Sequence, residues 1–486
     1  MKEHLPKNDY RLRLAEAEAQ ISSVQNSRYA LKLHLMPPVG WLNDPNGLCE
    51  KDGIYHIFFQ YSPFDATGGE KFWGHYQTSD FVRYEYTGAP LAPDLSIDRD
   101  GVYSGCALVE NDMMRIYYTG NVRTEGTDGI LEGREANTVY VESSDGISMT
   151  PKKCLMTNDD YPSFVTCHVR DPKVFKKDNI YYMIQGAWSK DYKGYALIFT
   201  SENGCDWKYS HALTTPEPFG YMWECPTLFT LNKKEILSVS PQGLEHGEFS
   251  CQNIYQSGYF IIDGSFQGNY ELKNFTEWDM GFDFYAPQIF EDEKGRQLLI
   301  GWMGIGDEAY SNPTVEDGWQ HTLTLPRELT LSDNGKQILQ TPVCELKALR
   351  RKQLQPAEYV ADKTVYQDLT LYELLLDNIG SSLSITIAED LHLDWNQNSG
   401  IFSLSFTGSA GYGRTIRKAR IDELLQLQMF VDSSAIEVYL NKGAVVFSTR
   451  FYPENDSHDL RINCGGLHTL WELSPVTMNF KNRNHL

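Results

Sequence analysis

Short apolar and aromatic runs separated by polar turns fill the chain from about residue 30 to 340, and they predict strands rather than helices. Segments 54–60, 114–120, 180–186 and 297–302 read as related strands. Each follows a polar turn, such as Lys51-Asp52-Gly53 or Lys177-Asp178-Asn179, and each ends in small or polar residues able to face a common centre. Hairpins recurring roughly every 50–70 residues are what radial β-blades produce, though the repeat is too degenerate to count them. Beyond about residue 355 the alternation becomes sandwich-like over 382–387, 400–406 and 435–441. Two stretches break the β pattern. Residues 10–28 carry strong helix formers with Leu and Ile at helical spacing, which predicts a leader helix docked on the surface. Residues 340–351 read as a short helical connector.

Length and composition narrow the class. A chain of 486 residues is long enough for two domains with ample cores. With 41% hydrophobic and 22% charged residues it is a soluble globular type. A net charge of −22 repels nucleic acid and anionic membrane, so neither is an expected partner. A few local Lys or Arg can still bind one phosphate. The nine cysteines are scattered and form no CxxC pair or Cys/His cluster, which argues against structural zinc and a disulfide framework. Residues 1–28 lack an apolar run of the kind that targets a chain for export, so a cytoplasmic location is expected, with no cofactor and no metal. Oligomeric state is not readable.

Three carboxylates stand in distinctive frames: Asp44 in Trp41-Leu42-Asn43-Asp44-Pro45-Asn46-Gly47, Asp171 in Arg170-Asp171-Pro172, and Glu224 in Trp223-Glu224-Cys225-Pro226. Sugar hydrolysis needs one carboxyl group to attack or activate and another to donate a proton. One Asp-Pro alone is an ordinary turn starter. Three such acids in an aromatic-rich β sequence point to glycosidic chemistry.

These frames sit among further motifs in fixed order: 34–40 (His34-Leu35-Met36-Pro37), Phe59-Gln60-Tyr61, Phe72-Trp73-Gly74-His75, Tyr103-Ser104-Gly105-Cys106, 279–288 and Gly301-Trp302-Met303. From about His34 to the C-terminus the chain resembles the invertase-type β-fructofuranosidases of glycoside hydrolase family 32, the group that includes sucrose-6-phosphate hydrolases. Two departures are visible: Cys106 where the family usually has Ser or another small residue, and Thr227 where Asp is common after Glu-Cys-Pro. The resemblance implies an all-β fold: a five-bladed β-propeller (30–340) after a short N-terminal helix (1–29), then a linker helix (341–358) and a C-terminal β-sandwich (359–486). It also implies a retaining hydrolase acting on sucrose, sucrose-6-phosphate or short fructo-oligosaccharides. A fructosyltransferase and a non-catalytic fructan-binding protein are the alternatives.

In that reading Asp44 is the nucleophile, kept ionised by Asn43 and nearby donors. Glu224 is the acid/base, its pKa raised by an apolar setting of Trp223, Cys225 and Pro226. Asp171, oriented by Arg170, stabilises the transition state. Retention sets the Asp44 and Glu224 carboxyls about 5–5.5 Å apart. Gln60, Trp73, Ser104, Tyr285 and Trp302 are assigned to the sugar pocket. Asp279 and Asp283 invite a divalent-cation site but fit a turn better. His34 and His75 read as structural, and Trp395 and Trp471 as either glycan platforms or core. Lys190, Lys193 and Arg123 are candidate phosphate ligands.

Overall fold

A computed structural model describes residues 7–124, 129–360 and 363–480. The expected leader is two helices, Lys7–Glu18 and Ile21–Gln25. The first docks through Tyr10, edge-on to Phe72 at 5.4 Å, and through Arg13, whose guanidinium lies 4.0 Å over the Phe64 ring and pairs with Glu70 at 3.3 Å. It thereby braces the loop that ends at Phe72.

The region from Gly40 to Pro342 is built of antiparallel meanders. Each opens with a strand that carries polar residues yet is almost wholly buried: Gly40–Lys51, Val102–Glu110, Val165–Lys177, Met222–Leu231 and Tyr285–Glu291. These five touch in cyclic order, the last returning to the first. The apolar runs foreseen from the sequence are the second strands, Ile54–Ser62, Met113–Arg123, Ile180–Ser189 and Gln297–Met303, which pair with the inner ones. Close approach between sheets demands small residues. A Cβ on Gly186 would lie 1.9 Å from the Trp223 carbonyl, and one on Gly105 would lie 2.0 Å from that of Tyr117.

A 3-10 turn, Cys344–Leu349, forms the connector. Two sheets of six and seven strands follow, packed over a core that includes Leu374, Ile385, Leu393, Phe402, Val438 and Phe447. Alternating burial along Ser382–Ile387 and Leu391–Asn396 shows one face turned to that core. Trp395 is in it, with its indole donating to the Ile421 carbonyl at 2.8 Å. Trp471 is capped by the Arg350 guanidinium at 3.8 Å. The chain then leaves the sandwich. Thr477–Phe480 pairs in parallel with Arg83–Leu91 of the first meander, so the last described strand, expected within the sandwich, ties the two regions together.

Between them lies a seam of buried charge. Arg327 reaches Asp279 at 3.0 Å and Glu437 at 2.7 Å, and Arg414 reaches Asp283 at 2.7 Å. Asp279 also accepts from the Ser448 backbone at 2.7 Å, and Asp283 from the Arg450 backbone at 2.8 Å. The acidic pair that suggested a cation site is therefore neutralised by arginines, and no cluster of three or more His, Cys, Asp or Glu able to hold a metal occurs among the described residues. His34 bridges Asp432 at 2.9 Å and Glu437 at 3.1 Å, and its pKa is raised to about 9: burial pushes it down, but the two carboxylates outweigh burial.

Candidate active site

The same irregularity recurs in the inner strands. Register slips between Leu42 and Pro45, between Glu224 and Thr227, and between Tyr285 and Gln288, as it does around Asp171-Pro172. Each slip contains a residue followed by proline: Asp44-Pro45, Asp171-Pro172, Cys225-Pro226 and Ala286-Pro287. Proline has no N–H for the ladder, so pairing fails there and the strand bulges, which re-aims the neighbouring side chain. Asp171, Cys225 and Ala286 take left-handed φ of 62°, 48° and 48°. Such backbone costs about 1–3 kcal/mol per residue and persists where the surroundings over-determine it. The bulges turn the three acids towards one centre.

Around Asp44 the hydrogen bonds close a ring. Asn43 Nδ2 donates to Asp44 Oδ1 at 3.0 Å and to Gln60 Oε1 at 2.7 Å. Gln60 Nε2 donates to Ser104 Oγ at 2.7 Å, and Ser104 Oγ donates to Asp44 Oδ2. Two donors hold the amide of Asn43 in the required orientation: Trp41 Nε1 at 2.8 Å and Lys71 Nζ at 2.9 Å, both on its Oδ1. With its oxygen so occupied, Asn43 must present Nδ2 to the carboxylate. Lys71 lies 5.0 Å over the Trp41 ring, and burial lowers its pKa to about 8 against the pull of Asp44. No motif marks Lys71. It stands in the ordinary-looking loop Gly68-Gly69-Glu70-Lys71.

Glu224 is surrounded by donors. Arg170 gives Nε at 2.8 Å and Nη2 at 2.6 Å to Oε1, while Tyr285 OH at 2.7 Å and Gln242 Nε2 at 2.9 Å serve Oε2. Arg170 was expected to orient its neighbour Asp171; its partner is instead Glu224. Asp171 Oδ2 accepts from the Cys225 backbone N–H at 2.9 Å. The Cys225 thiol joins the acids, with Sγ 3.7 Å from Asp171 Oδ2 and 3.8 Å from Asp44 Oδ2. Since Cys225 follows Glu224 in the chain, this one residue binds all three carboxylates into a single site. Neither the thiol contacts nor Gln242 could be read from spacing.

The electrostatics reverse two expectations. Burial pushes Asp44 above the usual carboxylate range, although Ser104, Asn43 and Lys71 pull it back; Glu224 adds to the rise. Glu224 is pushed up by burial, but Arg170 and Tyr285 outweigh it and hold the carboxyl below its ordinary value. Asp171 rises to about 7, first through burial and then, against Arg170, through Glu224 and Asp44. Three buried carboxylates share too little positive charge to ionise together, so the group as a whole gives up its last proton at higher pH than separate carboxylates would.

The remaining expected residues distribute as follows. Tyr285 touches Glu224, and Trp302 is packed 5.9 Å from Trp41, 5.1 Å from His321 and 6.3 Å from Tyr285, forming one aromatic wall. Trp73 departs from the expected stacking surface. It is 0% exposed, packs on Phe58 and Tyr118, and donates its indole N–H to the Tyr103 carbonyl at 3.0 Å. It supports the Tyr103-Ser104 bulge from behind. His75 hydrogen-bonds His56 and Thr87 in the core. Lys190 and Lys193 are occupied by the carbonyls of Ser163 at 2.7 Å and Pro216 at 3.0 Å.

Known proteins share this architecture and sequence. The glycosyl hydrolases family 32 N-terminal domain matches residues 34–342, and the family 32 C-terminal domain matches 377–474. A sucrose-6-phosphate hydrolase of Bacillus subtilis (strain 168) is 39% identical over 465 residues, covering 93% of this chain and 95% of the relative. Raffinose invertase of Escherichia coli is 34% identical over 471 residues, covering 93% and 96%. Among solved structures, sucrose-6-phosphate hydrolase from Lactobacillus gasseri superposes with a TM-score of 0.83 at 28% identity, covering 97% of this chain and 98% of that one. A Bombyx mori GH32 beta-fructofuranosidase gives a TM-score of 0.85 at 28% identity, covering 97% and 99%. The chain belongs to glycoside hydrolase family 32.

Proposed function

We propose that the chain is a retaining β-fructofuranosidase that releases terminal β-D-fructofuranosyl units from sucrose, sucrose-6-phosphate or short fructo-oligosaccharides. The observation that carries this reading is the convergence of Asp44, Asp171 and Glu224 about Cys225. Relatives named sucrose-6-phosphate hydrolase and raffinose invertase support the substrate class. Asp44 attacks the anomeric C2, and Glu224 protonates the departing glycosidic oxygen and then deprotonates the incoming water. Sugar hydroxyls donating to Asp171 favour its ionised form, and the proton of the group then serves Glu224 once substrate has loosened the Arg170 grip. The cyclic contact of the five inner strands supports a five-bladed propeller, with the acids on the first, third and fourth blades. A cytoplasmic setting agrees with the nine free cysteines. None of the described helices is long and apolar enough to cross a membrane.

Methanolysis tests the stereochemistry. With methanol as a competing acceptor, sucrose should yield methyl β-D-fructofuranoside first, and formation of the α anomer would overturn the double displacement. The substrate is tested by kcat/KM on sucrose and on sucrose-6-phosphate side by side. A preference of about a hundredfold, near 2.7 kcal/mol, marks a phosphosugar hydrolase.

A further inference from the structure

Arg134 is the cation left over beside the acids. Its guanidinium makes no hydrogen bond or ion pair with any described residue, and it lies 5.7 Å over the Tyr103 ring. Tyr103 precedes Ser104, which donates to Asp44. In register, Arg134 stands directly opposite Arg123 at the mouth of the hairpin, so both side chains leave the same face. Two further guanidinium groups, of Arg170 and Arg123, stand near it. Burial lowers its pKa, Arg170 and Arg123 lower it further, and its charge in turn draws down Glu224. Arg170 is neutralised by Glu224, whereas Arg134 has no such partner among the described residues. A partly desolvated guanidinium facing two like charges is costly unless an anion arrives.

The competing cations nearby are committed. His168 accepts from Arg170 through Nδ1 and donates through Nε2 to the Gly129 carbonyl at 2.8 Å, and burial beside Arg170 keeps it neutral at neutral pH, with a pKa near 4. Lys190 and Lys193 hold backbone carbonyls. Arginine suits the task because its fork matches phosphate oxygens in pairs.

We propose that Arg134, with Arg123 opposite and Tyr103 beneath, receives the phosphate of a phosphomonoester on the leaving sugar. This rests on the function proposed above, because the leaving sugar must lie beside Glu224 for its oxygen to be protonated, and Glu224 is the acid that feels Arg134 most directly. The site is a small basic spot in a chain of net charge −22, which selects a compact dianion over a polyanion.

The test is the ratio of kcat/KM on sucrose-6-phosphate to that on sucrose, measured for the full chain and for Arg134→Gln, Arg134→Lys, Arg123→Gln and Lys190→Gln. Using the ratio removes any effect of Arg134 on Glu224 that both substrates share. Wild type should favour the phosphorylated sugar. Arg134→Gln should cut the ratio by roughly 10–100-fold, mainly through KM, with Arg134→Lys between the two and Arg123→Gln weaker. Lys190→Gln should leave the ratio unchanged. Glucose 6-phosphate should inhibit wild type more strongly than glucose, and Arg134→Gln should abolish that difference. A wild-type preference that survives Arg134→Gln places the phosphate elsewhere and overturns this inference while sparing the phosphosugar reading. Equal wild-type rates on both sugars overturn both.

Discussion

The centre of the strand ring and the seam to the sandwich each bury a cluster of carboxylates, with opposite outcomes. At the seam Asp279, Asp283, Asp432 and Glu437 meet Arg327, Arg414 and a protonated His34. Glu437 is accordingly held at about 2: burial pushes it up, and Arg327 and His34 outweigh burial. At the centre Arg170 is, among the described residues, the one cation hydrogen-bonded to any of Asp44, Asp171 and Glu224, and it serves Glu224. Asp171 there rises to about 7. The seam, with three cations for its four acids, is held by its own charges, although burial still pushes Asp279 up against the pull of Arg327. An under-matched cluster keeps a proton that can move within the site, which is what acid–base chemistry needs.

The difference can be broken at either end. The largest effect is expected at the centre. Asp44→Asn nearly keeps the side-chain shape but replaces the nucleophilic carboxylate with a neutral amide, and kcat on sucrose should fall by about 10⁴-fold or more with the far-ultraviolet circular dichroism unchanged. Activity within tenfold of wild type would remove Asp44 from the chemistry.

At the seam the expected loss is in stability. Glu437→Gln leaves Arg327 and His34 facing each other without their shared counter-charge, and breaking a buried pair from one side costs about 3–5 kcal/mol. Urea unfolding should report it, while kcat of the folded fraction stays near wild type.

A smaller effect follows from pH. The folded pKa of His34, about 9, lies above its ordinary value of 6.5. Its contribution is therefore fully present below pH 6.5 and is lost as pH rises through 9, with a limit of about 3 kcal/mol. Unfolding midpoints from pH 6 to 10 should fall with that profile, and His34→Gln should flatten it.

Least in size, Lys71→Met should lower kcat/KM about 5–10-fold by releasing the Asn43 amide, in line with the loss of one charged hydrogen bond. It should also remove an alkaline limb near pH 8, where Lys71 gives up its proton. Lys71→Arg should keep the rate and move that limb upward, because arginine stays charged.

Much of this was legible in the chain. The Asp-Pro and Cys-Pro frames read as turns at strand ends; in the structure they are bulges within strands, because proline cannot join a ladder. Ser382–Ile387 and Ile401–Phe406 showed their strands through alternation that a sandwich face requires, whereas Ala435–Leu440 is buried throughout. What failed were partnerships. Asp279 and Asp283 read as a turn pair, and only the fold brought Arg327 and Arg414 to them. Trp73, promising as a sugar platform, is sealed behind the Tyr103-Ser104 bulge.

The sequence by itself determined the strand pattern, the three acids and the turns that aim them, because those depend on neighbours within a few residues. Only the tertiary structure decided that Arg170 grips Glu224 rather than adjacent Asp171, that Lys71 locks Asn43, and that Arg134 makes no ion pair with any described residue. Charge interactions reach across space and depend on burial, so the order in which these acids hold their protons is set by what the fold packs around them.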